Sequence, residues 1–319
     1  MADALLSLRL ASKREIARDV VLLELRDPQD RPLPPWSPGA HVDLHLPGGL
    51  LRQYSLAGDC DDASHWLLAV LKEPASRGGS RAVHEALQEG DLIQVGLPRN
   101  QFALHGQAHG ALLLAGGIGI TPILAMARSL LRQQAPFHLH YCGRTRGGMA
   151  FLDELESGKL ATKTSVHIDL PGQGSSLDLP SVLAALDPDA HIYVCGPRGF
   201  IDWVRDTALA AGRDPASLHQ ESFSAAAPPA DADSFEVHLQ QSGLTITVSG
   251  EESVLHALQR AGVQLQTSCE QGICGTCMTT VLEGEPVHLD LCLSEEERNS
   301  GKLFLPCCSR AKGRLVLDL

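Results

Sequence analysis

Cysteine is the residue with the most chemistry on offer, and five of the nine cysteines form two groups. The first reads Cys269-Glu-Gln-Gly-Ile-Cys274-Gly-Thr-Cys277, a C-x4-C-x2-C spacing; the second is the adjacent pair Cys307 and Cys308. Two irons bridged by sulfide need four thiolates, three from a loop short enough to wrap them and one from elsewhere. The pattern therefore predicts a 2Fe–2S cluster and one-electron transfer. Gly272 and Gly275 lie between the ligands, where a residue without Cβ lets the chain bend tightly and turn amide hydrogens towards sulfur. The competing readings are a structural zinc site, which favours paired C-x2-C knuckles, and buried thiols acting as small hydrophobes. Only one of Cys307 and Cys308 can reach the same iron in one backbone conformation, and the residues themselves leave that choice open. Cys60, Cys142 and Cys292 are read as structural thiols.

A second kind of chemistry lies mid-chain. The apolar run at 111–115 is followed by Gly116-Gly117-Ile118-Gly119-Ile120-Thr121-Pro122. Glycines between a strand and a helix let the backbone approach a diphosphate, whose charge the helix N-terminus stabilises. Taken alone, the loop could equally be a tight strand-to-helix turn, because it departs from G-x-G-x-x-G. Val194-Cys195-Gly196-Pro197 ends another strand of the same pattern, at the carboxyl side where parallel sheets bind ligands. Thr121 is expected to cap the helix and Pro122 to open it.

These groups need elements to position them. From residue 111 strand and helix patterns alternate, with strands at 137–142 and 191–195 and a helix ending near Gly212, which predicts an α/β domain with a parallel sheet. Before it, Val42, Leu44 and Leu46 alternate with His41, Asp43 and His45 between Pro-Gly turns, as in a small antiparallel β-barrel. Residues 225–234 are small, acidic or proline and read as a linker. Beyond them Phe235, Val237 and Leu239, then Leu244, Ile246 and Val248, predict a hairpin. Val254, Leu255, Leu258 and Ala261 repeat at helical spacing and stop at Gly262. Hairpin, helix and cysteine loop together resemble the α+β β-grasp of ferredoxins. The expected domains are 1–106 (barrel), 107–224 (α/β), a linker 225–234, and 235–319 (cluster).

The 319 residues, 44% apolar and 20% charged, suit a multidomain globular protein. No run of eighteen apolar residues and no signal-like start is present, and an odd number of cysteines with a cluster motif fits a reducing compartment where thiols act as ligands, so a cytoplasmic location is expected. The net charge of −12 disfavours nucleic acid and anionic membranes as partners. Residues 231–319 carry 13 acids against 6 Lys and Arg. An acidic cluster domain could steer towards a basic docking site.

Arg52-Gln53-Tyr54-Ser55, Gly78-Gly79-Ser80-Arg81, Gly116 to Pro122, Cys195-Gly196-Pro197 and Cys307-Cys308-Ser309-Arg310 occur in the order of the ferredoxin reductase superfamily. More closely, the whole chain resembles the phthalate dioxygenase reductase family, which includes vanillate demethylase reductases. The resemblance implies FMN held by Arg52 at its phosphate, Tyr54 against the ring and Ser55 near N5, with Gly79, Ser80 and Arg81 as the phosphate grip. Gln53 stands where the family often has proline. The resemblance also implies NADH held by Gly117, Gly119 and Thr121 at the diphosphate, Cys195 and Gly196 beside the nicotinamide, and Arg144 on the adenosine side. Arg146 nearby is read as a solvated arginine, with attraction of a 2′-phosphate as the alternative. Phe223 takes the place of an aromatic near the flavin. The 29 residues between Cys277 and Cys307 match the plant-type gap, so Cys269, Cys274, Cys277 and Cys307 are the implied ligands.

The implied activity is that of a monomeric NADH-dependent reductase component passing electrons through FMN and the cluster to a Rieske-type terminal oxygenase. The cofactors carry the chemistry, so no catalytic acid or base is expected. The alternatives are a self-contained flavin and iron–sulfur reductase of another acceptor, and a redox-sensing or structural metal module without turnover.

Overall fold

The computed structural model describes residues 5–74, 78–105, 109–169, 176–223, 233–267, 270, 272, 275–290 and 292–319. Cys269, Cys274 and most of the expected linker lie outside the described residues. The chain divides into two compact units, Met1–Ser222 and Phe223–Leu319.

The first unit holds two sheets. β1 (Leu5–Ala17), β2 (Val20–Arg26), β3 (Ala40–Leu46), β4 (Leu50–Ser55), β5 (Trp66–Leu71), β6 (Leu92–Gly96) and β7 (Arg99–Asn100) are antiparallel, with α1 (Gly79–Glu85) between β5 and β6. Their order is β4-β3-β6-β1-β2-β5, with β7 on β3. Just past β4, Ala57 N donates to Leu67 O at 2.9 Å, which draws the two ends of the sheet together as a barrel requires. Inside lie Leu8, Leu10, Leu23, Leu25, Val42, Leu44, Trp66 and Leu68, all at 1% exposure or less. Each such side chain contributes roughly 1.5–3 kcal/mol of burial. The alternation in β3 suggests one wet face, yet His41 and Asp43 are buried too. Arg99 Nη2 donates to both Asp43 carboxylate oxygens at 2.7 and 2.8 Å, so the polar face is covered by an ion pair.

The second sheet is parallel throughout. It is built from β8 (Ala111–Gly116), α2 (Ile120–Arg132), β9 (Phe137–Gly143), α3 (Leu152–Ser157), β10 (Thr164–Ile168), α4 (Leu179–Ala185), β11 (His191–Gly196), α5 (Arg198–Ala210) and β12 (Leu218–Ser222). The strand order is β10-β9-β8-β11-β12, which puts the glycine turn after β8 beside the turns after β9 and β11. Arg128 on α2 donates to the Ala57 carbonyl of the barrel and pairs with Glu154, and Arg132 pairs with Asp59. Such cross-links join barrel and parallel sheet into one unit.

The second unit contains β13 (Phe235–Leu239), β14 (Thr245–Val248), α6 (Val254–Arg260), β15 (Thr279–Val287), α7 (Glu295–Asn299), β16 (Leu303–Phe304) and β17 (Arg310–Leu317) in the order β14-β13-β17-β15-β16. β13 and β17 are parallel and the other pairs antiparallel, a mixed sheet with α6 packed on it through Val254, Ala257 and Leu258. Ser253 caps α6 by accepting from His256 N at 3.2 Å. The Arg310 guanidinium lies 5.0 Å above the Phe235 ring and donates to the carbonyls of Asp233, Ser249 and Glu252, tying the last strand to the first. No described helix is long and apolar enough to cross a membrane.

Candidate functional site

Two turns of the parallel sheet fit together backbone against backbone. A Cβ on Gly119 would lie 2.3 Å from the Cys195 carbonyl oxygen, and one on Gly196 would lie 3.0 Å from Gly116 Cα. Glycine is required at 119 and 196 for space, and the result is a side-chain-free floor at the carboxyl ends of β8 and β11. Gly117 faces outward, with open space around the position of a Cβ. The expectation for Thr121 is corrected here. A 3-10 turn over Gly117–Gly119 precedes α2, which begins at Ile120 with Gly119 as N-cap. Thr121 is already inside the helix, and its hydroxyl donates to Ile118 O at 3.1 Å, bracing that turn.

At the end of β11 the Cys195 thiol is fully buried, and burial followed by the neighbouring Glu221 pushes its pKa well above the ordinary value. It stays a neutral thiol at physiological pH. Cys195 and Glu221 are register partners across β11 and β12. From the barrel, Ser55 Oγ donates to Glu221 Oε2 at 3.4 Å. Burial raises the Glu221 carboxyl to about 8, an effect the Ser55 contact only partly offsets. Ser55, Cys195 and Glu221 thus converge where barrel and parallel sheet meet within one compact unit. The sequence reading did not single out Glu221. Lying in His219-Gln220-Glu221-Ser222, it looks like one polar residue among several, and only its strand register reveals it. The same seam holds a stack of His105, His191, Tyr193 and His219, in which His219 lies 4.5 Å from His105 and 4.6 Å from Tyr193.

On the barrel side, Arg52 and Tyr54 project from β4. A Cβ on Gly79 would lie 2.5 Å from Arg52 Cγ, so the missing side chain lets Arg52 lie against the start of α1, where Ser80 and Arg81 follow. The Ser80 hydroxyl accepts from Glu73 N at 3.1 Å, and Arg81 is exposed. Tyr54 packs against the barrel core, and burial pushes its phenol up to about 12. Gln53 Nε2 is shut off from solvent without a hydrogen-bond partner among the described residues. An arginine, a half-buried aromatic ring, a serine and an orphaned amide donor in one strand suit an anionic, ring-bearing cofactor.

Arg144 is exposed just past β9, and Arg146, read as solvated, is exposed and pairs at the surface with Glu156. Phe223 is the half-buried first residue of the second unit.

In the second unit Cys277, Cys307 and Cys308 are 2%, 8% and 7% exposed and form no disulfide. They share an apolar cluster with Leu255, Leu293 and Leu305. Gly272 N donates to Cys307 Sγ at 3.2 Å, the amide-to-sulfur geometry that a cluster ligand needs. Gly272 has φ +69, and a Cβ there would overlap Cys308 Sγ at 2.3 Å. Cys292 is half-buried, its sulfur against Gly275. Buried thiols, a sulfur-directed amide and a left-handed loop match the donor set of an iron–sulfur cluster.

Comparison with known proteins agrees with this division of labour. Residues 113–206 match the oxidoreductase NAD-binding domain, and residues 237–312 match the 2Fe-2S iron-sulfur cluster binding domain. The chain is 46% identical over 313 residues to a vanillate O-demethylase oxidoreductase of Pseudomonas sp., covering 97% of this chain and 98% of that protein. It is 40% identical over 318 residues to a heme-dependent oxidative N-demethylase beta subunit of Ectopseudomonas mendocina, covering 99% and 100%. A solved phthalate dioxygenase reductase, titled as a modular structure for electron transfer from pyridine nucleotides to 2Fe-2S, superposes with a TM-score of 0.78 at 39% identity, covering 99% of this chain and 98% of that one. The chain belongs to the phthalate dioxygenase reductase and vanillate O-demethylase oxidoreductase family.

Proposed function

We propose that this protein is the reductase component of an oxygenase system, taking electrons from NADH through FMN to a 2Fe–2S cluster and on to a separate terminal oxygenase. The observation that carries this reading is the meeting of Ser55, Glu221 and Cys195, which brings flavin-type and nicotinamide-type residues together at one point. When bound, the flavin supplies the conversion of a two-electron hydride into single electrons, and the cluster supplies one-electron storage.

The protein's own residues bind, orient and hold protons. Arg52, with Gly79, Ser80 and Arg81 at the start of α1, would match the flavin phosphate, and Tyr54 would pack on its ring. Gly117, Gly119 and Gly196 keep side chains away from the coenzyme diphosphate, and Thr121 keeps their turn in shape. The buried Cys195 thiol fills the floor beneath the nicotinamide without ionising. Glu221 holds a proton at neutral pH and accepts from the Ser55 hydroxyl, which fixes that serine where barrel and parallel sheet meet. Arg144 faces the adenosine end. Cys269, Cys274, Cys277 and Cys307 are the proposed iron ligands, with Cys308 as the buried neighbour that backs Gly272. The reading divides the chain as 1–106, 107–224, linker 225–234 and 235–319, places it in the cytoplasm, as an odd number of cysteines with a cluster motif suggests, and treats it as a monomer.

The acceptor is proposed to be a Rieske-type oxygenase. The relative named as a heme-dependent N-demethylase subunit supports haem oxygenases as a second acceptor class. Mixing purified protein with NADH and each class of oxygenase under anaerobic conditions separates these. Reduction of a Rieske centre supports the first reading, reduction of haem alone supports the second, and reduction of neither contradicts both.

A further inference from the structure

The adenosine end of the coenzyme site contains an ion pair that the proposed electron transfer does not use. β9 runs parallel to β8 with Gly116 opposite Cys142, so the turn after β9 leaves the sheet beside the glycine turn. In open parallel sheets the residues just past this neighbouring strand meet the adenosine ribose. An acid there accepts from the 2′-hydroxyl of NADH, whereas an arginine matches the 2′-phosphate of NADPH. The turn here carries two arginines, Arg144 and Arg146, a pattern that by charge alone favours NADPH.

The structure changes that balance. Arg146 Nη2 donates to Glu156 Oε2 near the end of α3. Glu154 of the same helix is instead paired with Arg128, at 2.6 Å. Both members of the pair are accessible, with side-chain exposures of 57% and 37%, so an incoming ligand can reach them.

We propose that Glu156 is a coenzyme-specificity residue: it occupies the Arg146 guanidinium and keeps a carboxylate at the adenosine end, which repels a 2′-phosphate and favours NADH. The inference rests on the reading that the turns after β8 and β11 hold the nicotinamide coenzyme. A phosphate dianion brought to this turn must displace a carboxylate from Arg146 and then remain beside it. A 2′-hydroxyl meets neither penalty. Because the pair is solvated, the discrimination is moderate and screened by salt.

The test is calorimetric binding of NAD+ and NADP+ to the flavin-loaded protein, with kcat/KM for flavin reduction by NADH and NADPH, in wild type, Glu156→Gln and Glu156→Lys. Glu156→Gln is expected to tighten NADP+ binding and raise NADPH kcat/KM about fivefold, the size expected of a half-exposed pair, while NADH changes less. Glu156→Lys should go further, and Arg146→Ala in the Gln background should cancel the gain. Raising the ionic strength should shrink the differences. A coenzyme ratio unmoved by both Glu156 variants, or a wild type that takes NADPH as readily as NADH, would overturn the proposal. If neither coenzyme binds wild type or reduces its flavin, the functional reading fails as well, which distinguishes that result from a mere lack of discrimination.

Discussion

The nucleotide turns and the cysteine loop both depend on glycine, for opposite physical reasons. Gly119 has an ordinary helical φ of −61 and is required because the backbone of Cys195 occupies the place of a side chain. Gly272 has φ +69, a left-handed conformation that costs an L-residue about 1–2 kcal/mol, and its amide must also reach Cys307 Sγ. The first region recognises by absence, a bare backbone surface that a diphosphate can approach. The second recognises by presence, sulfur atoms held at fixed positions. Damage to either should therefore separate coenzyme chemistry from iron chemistry.

The largest expected effect is at Gly119. Gly119→Ala forces a methyl group into backbone and should abolish NADH binding or cost more than about 3 kcal/mol in stability, while iron and acid-labile sulfide stay with the second unit. Titration with NADH, alongside metal analysis, checks both halves. Next is the cluster loop. Gly272→Ala should lower the iron content of purified protein several-fold and leave NADH reduction of the flavin intact. Within the same loop, Cys307→Ser should remove the visible iron–sulfur bands and Cys308→Ser should keep them; the reverse pattern would reassign the fourth ligand.

A third comparison contrasts Glu221 with exposed acids. The folded protein keeps a proton on Glu221 up to about 8, whereas the unfolded chain releases it near 4.5. Between these values unfolding releases a proton, so this group lowers stability as pH rises from about 5 to about 8, by on the order of 2–4 kcal/mol. Glu221→Gln should flatten that part of the profile of Tm against pH and raise Tm most at the alkaline end. It should also slow flavin reduction by NADH. An unchanged profile would show that the carboxyl ionises freely in the fold.

The smallest effect concerns docking. α7 begins with a capping box in which Glu297 and Ser294 satisfy each other, leaving Glu295 and Glu296 exposed at its first turn. Glu295→Lys with Glu296→Lys should slow reduction of the partner oxygenase by about two- to fivefold at low salt and little at high salt.

The two regions also differ in how far the sequence reveals them. The cysteine loop is legible because ligand chemistry fixes its spacing within a few residues, and the turn after β8 is legible because glycine and proline punctuate it. Glu221 is not, since its significance comes from Cys195 across a strand pair and Ser55, 166 residues away. The pairing of Arg146 with Glu156 is equally invisible, because the fold of the turn before α3 decides it. Thr121 lies inside the helix and not at its cap because a 3-10 turn ahead of α2 starts the helix two residues earlier, where the backbone of Gly119 meets that of Cys195. The alternation in β3 indicates a strand but not the Arg99 that covers its polar face.

Anaerobic titration of the purified protein with NADH, followed by absorption and electron paramagnetic resonance, addresses the central relay most directly. The account predicts that flavin bands bleach and that a reduced 2Fe–2S signal appears in the same molecules. Iron and sulfide present but never reduced by NADH, in protein whose flavin is reduced, would contradict it.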